Sequence, residues 1–300
     1  MYKGFSSSTR DCAISRTPGQ HILFEQQLSD FKVRHPHLPV VVIFAPTNPT
    51  KVIADMARQL VLLSELFGRQ MVFVAIGIND KEADEDASQM LETTAALHEA
   101  HVMHRVQHTS NLEGWTRQAL LGYMNDFEAA IVLRGVICAT DLARLFMHSI
   151  DNRADVTCSV DVSFSPHHLI ASNPFNLDGS SGKNIPTETL LRSRSFIQAR
   201  CCDSSAKVVS FRALRPGLFP RCSEEGACSE DISGNVDCDP RYGECNSPAR
   251  IMISPSVKSS RDPDDFRSAI QLGFTDLQGF DYKEIEWKEI KARGKCAGSI

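Results

Sequence analysis

The sequence predicts an α/β protein with a mostly parallel sheet and helices on both faces. From residue 40 to residue 165, short apolar runs alternate with amphipathic stretches, which is the pattern of consecutive βαβ units. The chain has 300 residues, and its hydrophobic content of 42% is enough for a substantial core. After residue 166, serine, asparagine, glycine and proline dominate and the hydrophobic period is lost, so a loop is expected there.

The individual elements can be placed by their periods. Strands are predicted at residues 40–45, 71–76, 102–106, 129–133 and 156–160. Helices are predicted at residues 51–67, 83–99, 112–124 and 140–149, with Gly68 as the cap of the first. This succession is that of a Rossmann-like sheet, and it places Asp161 just past the carboxyl end of a strand.

The flanking segments complete the predicted organisation. Residues 1–37 are expected to be irregular, and residues 38–262 to form the main domain. That domain would include a further α/β fragment at residues 196–214, a cysteine-rich irregular segment at residues 220–248 and a strand at residues 250–253. Residues 263–300 are expected to be a tail that is first helical and then charged.

Charge and hydropathy exclude two classes of partner. The formal net charge is −5 and the basic residues are scattered, so nucleic acid is not an expected partner. No apolar run approaches the roughly 20 residues that a membrane-spanning helix needs. The first twenty residues also lack the apolar core of a signal peptide, so membrane attachment would require an anchor that is absent from this chain.

Cysteine usage bears on the compartment. The chain has ten cysteines, and a cluster in its second half is expected to contain disulfides. The clustered residues are Cys201, Cys202, Cys222, Cys228, Cys238 and Cys245. Free buried thiols and a structural zinc are the alternatives, although the spacing of the cysteine pairs is wider than in the usual zinc knuckle. An oxidising lumen is the setting that disulfides favour.

Residues 139–162 carry a resemblance to a known family. Their sequence, ATDLARLFMHSIDNRADVTCSVDV, is similar to the "D-I-x-R-L" and "A-D-x-T-C-x-x-D" elements of the fungal capsule-associated α-1,3-mannosyltransferases, glycosyltransferase family 69. Residues 66–76 resemble the family's "L-G-x-x-x-V-F-V-S-I" strand, and residues 196–202 resemble its "P-F-x-V-x-S-C-W-N-G" element. The cysteine-containing stretch at residues 222–257, which ends in RIMISPSVK, resembles a cysteine pair followed by "R-I-x-V-N-P-x-V".

The resemblance implies a GT-A-type fold that transfers mannose from a nucleotide sugar, GDP-mannose, to a mannoside or glycan acceptor in the Golgi lumen of the secretory pathway. It also implies a divalent metal, Mn²⁺ or Mg²⁺, because such an ion neutralises the charge that develops on a diphosphate leaving group. Asp161 is the expected metal ligand, and Asn79, Asp80 and Arg134 are the expected nucleotide-sugar contacts. No catalytic residue can be assigned.

Several positions depart from the family pattern. Arg134 and Gly135 stand where the family has an Asn-Asp pair, and residues 77–81 (GINDK) replace its "E-S-x-S-x-D" loop. The "C-W-N-G" turn has become residues 202–205 (CDSS), which lack the tryptophan. Each change removes a polar or stacking contact to the donor. The alternative function is therefore a catalytically degenerate relative that binds a glycan or a partner protein.

Overall fold

The computed structural model describes most of the predicted α/β region. The described residues are 18–46, 48–68, 71–79, 93–94, 101–109, 111–123, 126–165, 168–171, 193–199, 202, 204–214, 250–271 and 283–287. The predicted helix at residues 83–99 lies outside them except for residues 93–94, as does the cysteine-rich segment at residues 220–248.

The described elements follow one another as strands separated by helices. The helices are α1 (Pro18–Arg34), α2 (Pro49–Phe67), α3 (Leu112–Tyr123), α4 (Ala139–Asp151) and α5 (Pro263–Gln271). The first five strands are β1 (Val40–Phe44), β2 (Val72–Asn79), β3 (His101–Thr109), β4 (Ala129–Leu133) and β5 (Val136–Ile137). The others are β6 (Val156–Ser165), β7 (His168–Ala171), β8 (Ile197–Ala199), β9 (Ala206–Ser210), which a 3₁₀ turn (Phe211–Leu214) follows, and β10 (Ile251–Ser260).

The strands form one mixed sheet in the order β3-β2-β1-β4-β9-β6-β10-β5, with β7 paired to β6 and β8 paired to β10. Strands β1, β2, β3 and β4 are parallel, and β9 is antiparallel to both β4 and β6. Strand β10 is parallel to β6, so most of the long strands share one direction. The predicted α/β fold with a mostly parallel sheet is confirmed.

The two faces of the sheet carry separate hydrophobic clusters. In β1, Val40, Val42 and Phe44 pack on the face that is covered by α1, α2 and α4. The alternate residues Val41 and Ile43 belong to the cluster on the other face, which Trp115 and other residues of α3 cover. Because successive strand residues point to opposite faces, a continuous apolar run is what a strand buried on both sides requires. The predicted helices on both faces are therefore present.

Two predicted strand ends were wrong. Strand β2 continues to Asn79, so residues 77–79 belong to a strand that pairs with β3 rather than to a loop. Strand β6 continues to Ser165, so Asp161 lies inside the strand and not past its end. The register pairs Asp161 with Ser259 of β10, and the Ser259 hydroxyl donates a hydrogen bond to the Asp161 carboxylate. With this partner, an acidic residue lies inside the strand at a position where the sequence pattern predicts that the strand ends.

The ends of the chain also differ from expectation. Residues 18–34, predicted to be irregular, form α1, which buries Phe24, Leu28 and Phe31 at helical spacing. Strand β10 continues beyond the predicted residue 253 and passes through Pro255. The proline is tolerated because the pairing register with β6 shifts between Ile253 and Lys258, where no ladder hydrogen bond is needed from it.

Candidate functional site

The order of the strands marks one place in the sheet where a ligand site is expected. From β1 the chain builds outward through β2 to β3, and it then returns to place β4 on the opposite side of β1. In open α/β sheets, ligands bind outside the carboxyl ends of the strands at such a reversal. Here the reversal lies between the ends of β1 and β4, where the Ala45 N–H donates to the Leu133 carbonyl oxygen at 2.9 Å.

The predicted nucleotide contacts are distributed along this edge. Asn79 is the last residue of β2, and Arg134 directly follows β4. Strand β1 lies between β2 and β4, so both positions belong to the carboxyl edge of the sheet. Asp80 lies outside the described residues.

The turn at Arg134 is tightly enclosed. Arg134 is only 5% exposed, and its backbone N–H donates to the Ser205 carbonyl oxygen at 2.6 Å. At the next position, a Cβ atom on Gly135 would overlap the carbonyl oxygen of Ser260 and would lie 3.0 Å from the Ser205 Cβ. Only glycine fits this close approach of two backbone segments. The family's Asn-Asp pair would not fit here without movement of β10.

Asp161, the predicted metal ligand, is buried beside this turn. Its carboxylate oxygens each accept from the Ser205 N–H at 2.9 Å, and one also accepts from the Ser205 hydroxyl at 2.9 Å. The Ser259 hydroxyl donates to the other oxygen. Burial raises the pKa of Asp161, and the donors from Ser259 and Ser205 and the charge of Arg261 oppose that rise.

This geometry does not fit a divalent cation at Asp161. The carboxylate is 3% exposed, and its oxygens already accept hydrogen bonds from Ser205 and Ser259. Among the described residues, no group of three or more histidine, cysteine or acidic side chains is arranged to hold a metal ion. Because Mn²⁺ and Mg²⁺ require several free oxygen ligands, Asp161 acts as a hydrogen-bond acceptor in this arrangement. The predicted ligand role has no support from these contacts.

Other charged residues of the signature segment, residues 139–162, also have structural contacts. Asp141 and Arg144 form an ion pair at 3.2 Å inside α4, with both side chains only 1% exposed. Asp155 accepts from the Arg212 guanidinium at 2.7 Å and from the Arg250 N–H at 2.8 Å. The first contact is internal to α4, and the contacts of Asp155 join the start of β6 to the segments after β9 and before β10. The charged positions on which the resemblance rests are therefore structural in this protein.

One disulfide connects two of the segments that resemble the family. Cys158 of β6 is bonded to Cys202, and their Cα atoms are 6.3 Å apart. Cys138, which precedes α4, is also disulfide-bonded. Neither Cys158 nor Cys138 belongs to the cysteine cluster in which disulfides were expected, so the sequence did not indicate their bonds. The other five cysteines of that cluster lie outside the described residues.

A buried polar layer between α4 and β10 was not predicted. His148 lies on the same face of α4 as Arg144, and its Nδ1 is 3.2 Å from the Ser254 hydroxyl. Burial, aided by the charge of Arg144, lowers the pKa of His148 to about 3. Burial also lowers the pKa of Lys258, on β10, to about 8. Arg144 and His148 are four residues apart, so the sequence indicates that they share one face of α4. A polar helix face of this kind is normally exposed to solvent, so its burial was not expected.

A cavity among the described residues lies at the opposite edge of the sheet. It has a volume of about 470 Å³, and its polar lining comes from His35, His37, Asp126 and Glu128. These residues precede β1 and β4, so the cavity lies at the amino ends of the strands. The carboxyl edge remains the better candidate site because strand order, and not cavity size, places ligands in open α/β sheets.

Comparisons with known proteins leave the function open. No family model and no curated protein matches the chain. A crystal structure of S. aureus TarS (residues 1–349) matches with a TM-score of 0.40 and 14% identity, covering 79% of this chain and 64% of that chain. A putative UDP-N-acetylglucosamine pyrophosphorylase from Entamoeba histolytica matches with a TM-score of 0.39 and 10% identity, covering 77% of this chain and 75% of that one. This chain thus spans less than two thirds of the TarS chain.

Within the described ranges, no helix is both long enough and apolar enough to cross a bilayer.

Proposed function

We propose that this chain is a glycosyltransferase-like protein that binds a nucleotide sugar at the carboxyl edge of its sheet, between the ends of β1 and β4. The observation that carries the proposal is the reversal of strand order at this point, with Arg134 beside it. Ligands of open α/β sheets bind at such reversals.

The electrostatics of this edge suit a diphosphate. Helix α2 starts at Pro49, five residues after the end of β1, so its amino end lies at the same edge of the sheet. Pro49 has no N–H and the Lys51 N–H donates to the Asn48 side chain at 3.4 Å, so the attraction of this helix end for phosphate comes mainly from the helix dipole. Arg134, at the end of the neighbouring strand β4, is the proposed second contact to the phosphates, because arginine binds phosphate through paired hydrogen bonds.

The finer proposal is that the donor is GDP-mannose and the acceptor is a mannoside or glycan. Its support is the family resemblance of residues 139–162, together with the Cys158–Cys202 bond between that segment and the downstream element. Asn79 and Asp80 remain proposed contacts to the donor. A secretory-pathway location is proposed on the same basis, since disulfides persist in oxidising compartments. A Mn²⁺ or Mg²⁺ ion, if the reaction uses one, would need ligands other than Asp161.

A second candidate function is binding without transfer. The observation that favours it is the commitment of the Asp161 carboxylate to Ser205 and Ser259, which leaves the expected metal ligand with a structural role. A degenerate relative of this kind would keep the nucleotide-sugar or glycan site and would not turn the donor over.

Calorimetric titration of the purified chain with GDP-mannose, with and without Mn²⁺, tests both functions. We expect saturable binding that Arg134→Gln weakens by roughly 10- to 100-fold, the effect of losing a charge-assisted contact. The matched control is Arg267→Gln, because Arg267 lies on the surface of α5 with 62% of its side chain exposed and pairs only locally with Asp264 at 2.8 Å. Asp80→Ala tests the remaining sequence-based contact.

Donor hydrolysis, followed in the same samples, separates the two candidates. Release of GDP and mannose supports a transferase, whereas binding without turnover, even with mannoside acceptors, supports the binding-only alternative. If neither GDP-mannose nor GDP binds to the folded wild-type protein, the proposed function is wrong.

A further inference from the structure

We infer that Asp161 is a positioning residue, which holds the turn at Arg134 and Gly135 in place by fastening Ser205 and Ser259 on its two sides. The inference rests on the proposed function in one respect, since that turn forms part of the proposed nucleotide-sugar site. Asp161 then holds the backbone of the turn in position, in place of the metal-ligand role that the sequence predicted.

The first side of the turn is the segment that leads into β9. Ser205 donates both its backbone N–H and its hydroxyl to the Asp161 carboxylate, all at 2.9 Å. The carbonyl oxygen of the same residue accepts the N–H of Arg134 at 2.6 Å. A single residue therefore separates the buried carboxylate from the backbone of Arg134. Any shift of Ser205 moves the acceptor to which Arg134 is bound.

The second side is the end of β10. The Ser259 hydroxyl donates to Asp161 and lies 2.6 Å from the hydroxyl of Ser159. The following residue, Ser260, pairs with Val136 of β5 and brings its carbonyl oxygen against Gly135. Because the Ser260 carbonyl oxygen lies where a Cβ of residue 135 would stand, the end of β10 limits movement of the turn on this side. The Asp161 carboxylate hydrogen-bonds to both Ser205 and Ser259 and so connects the two sides.

A carboxylate is chemically suited to this junction. Its two oxygens accept several hydrogen bonds at once, here from the N–H and hydroxyl of Ser205 and from the hydroxyl of Ser259. An asparagine of the same shape would set its NH₂ group against the Ser205 N–H, which lies 2.9 Å from both carboxylate oxygens and cannot accept a hydrogen bond. A buried donor without an acceptor is costly, so Asp161→Asn is expected to loosen the junction without changing its volume.

The test compares a variant pair at Ser259 with a control on the same strand. Ser259→Ala removes the hydroxyl that reaches Asp161, and Ser259→Thr keeps one. Ser254→Ala is the control, because Ser254 is equally buried in β10 but its hydroxyl lies near His148 and Ser256 instead. Ser259→Ala also serves if Asp161→Asn fails to fold.

The first measurement is hydrogen exchange of the Arg134 amide under native conditions. We expect exchange to become about ten-fold faster in Ser259→Ala and in Asp161→Asn, because opening of the turn no longer requires breaking the junction. Exchange at Arg134 should be restored in Ser259→Thr and unchanged in Ser254→Ala after correction for global stability. Unchanged exchange in both Ser259→Ala and Asp161→Asn would overturn the inference.

The second measurement is the dissociation constant for GDP-mannose. If Asp161 positions the site, Ser259→Ala should weaken binding by about ten-fold and Ser259→Thr should recover it, a pattern that a general loss of stability does not give. Faster exchange at Arg134 with unaltered affinity would refute the positioning role. If the wild type does not bind GDP-mannose, the proposed function fails by itself, and exchange at Arg134 still decides whether Asp161 holds the turn.

Discussion

Lowering the pH from 7 towards 3 is expected to reduce the free energy of unfolding of this protein, and His148 on α4 is one residue that causes the loss. The side chain is only 7% exposed, its Nδ1 faces the Ser254 hydroxyl at 3.2 Å, and its ring packs edge-on against Phe196 with 4.9 Å between the ring centroids. Burial and, to a lesser extent, the nearby charge of Arg144 lower the pKa of His148 to about 3. The folded protein therefore holds this histidine neutral.

The sign and size of the effect follow from proton linkage. An unfolded chain binds a proton at this histidine near pH 6.5, whereas the folded chain does so only near pH 3. Between these values the unfolded state binds more protons, so the free energy of unfolding falls as the pH is lowered. At about 1.4 kcal/mol per pH unit, the loss is roughly 3 kcal/mol at pH 4.5 and about 4 kcal/mol at pH 3.

Urea unfolding at pH 7.5, 6.0, 5.0 and 4.5 measures this loss in the wild type and in His148→Asn, which cannot titrate. Other groups titrate in both proteins, so the difference between the two pH profiles isolates His148. We expect the wild type to lose about 3 kcal/mol more than the variant between pH 7.5 and 4.5. His37→Asn is the control because His37 is exposed, and its profile should follow the wild type. Parallel profiles for wild type and His148→Asn would refute the reasoning.

Two further predictions concern stability at neutral pH. The double substitution Cys158→Ala and Cys202→Ala should lower the free energy of unfolding by about 4 kcal/mol in urea, because the bond closes a loop with a sequence separation of 44; an unchanged midpoint would contradict this. Gly77→Ala should cost about 1–3 kcal/mol because its Cβ would overlap the Trp115 ring, whereas Gly122→Ala in α3, with nothing within 4 Å, should stabilise by about 0.5–1 kcal/mol. Equal thermal midpoints for the two glycine variants would show that the Trp115 contact is not limiting.

Local periodicity was sufficient to predict most of the sheet. Strand β4 occupies the predicted residues, and β1 and α2 differ from prediction by one or two residues. In β1 every residue is buried, and the sequence signal is a continuous run of valine, isoleucine and phenylalanine. An apolar run of this kind involves only residues that are close in the sequence, so the sequence alone is enough to predict such a strand. The end of β6 could not be predicted in this way, because Ser259 is 98 residues away from Asp161 in the sequence.

The role of Asp161 could not be predicted from the sequence either, because it too depends on residues that are distant along the chain. A carboxylate near the end of a predicted strand looks like a ligand as long as its neighbours in space are unknown. Its partners Ser205 and Ser259 come from segments 44 and 98 residues away, and serine is too common to predict such pairings. The buried layer of His148 and Lys258 was missed because burial of polar residues on α4 depends on β10, which follows more than 100 residues later.

The signature segment therefore marks the architecture more than the chemistry. Asp141 pairs with Arg144 inside α4, whereas Asp155 accepts from Arg212 and Arg250, and Asp161 accepts from Ser205 and Ser259, so each of these carboxylates has a structural contact. Mutation of any of them would disturb the structure, so loss of binding in Asp161→Ala would not by itself identify a contact to the donor. The same holds for Arg134→Gln, because Arg134 is only 5% exposed. A lower affinity of that variant supports a donor contact only if its free energy of unfolding stays close to that of the wild type.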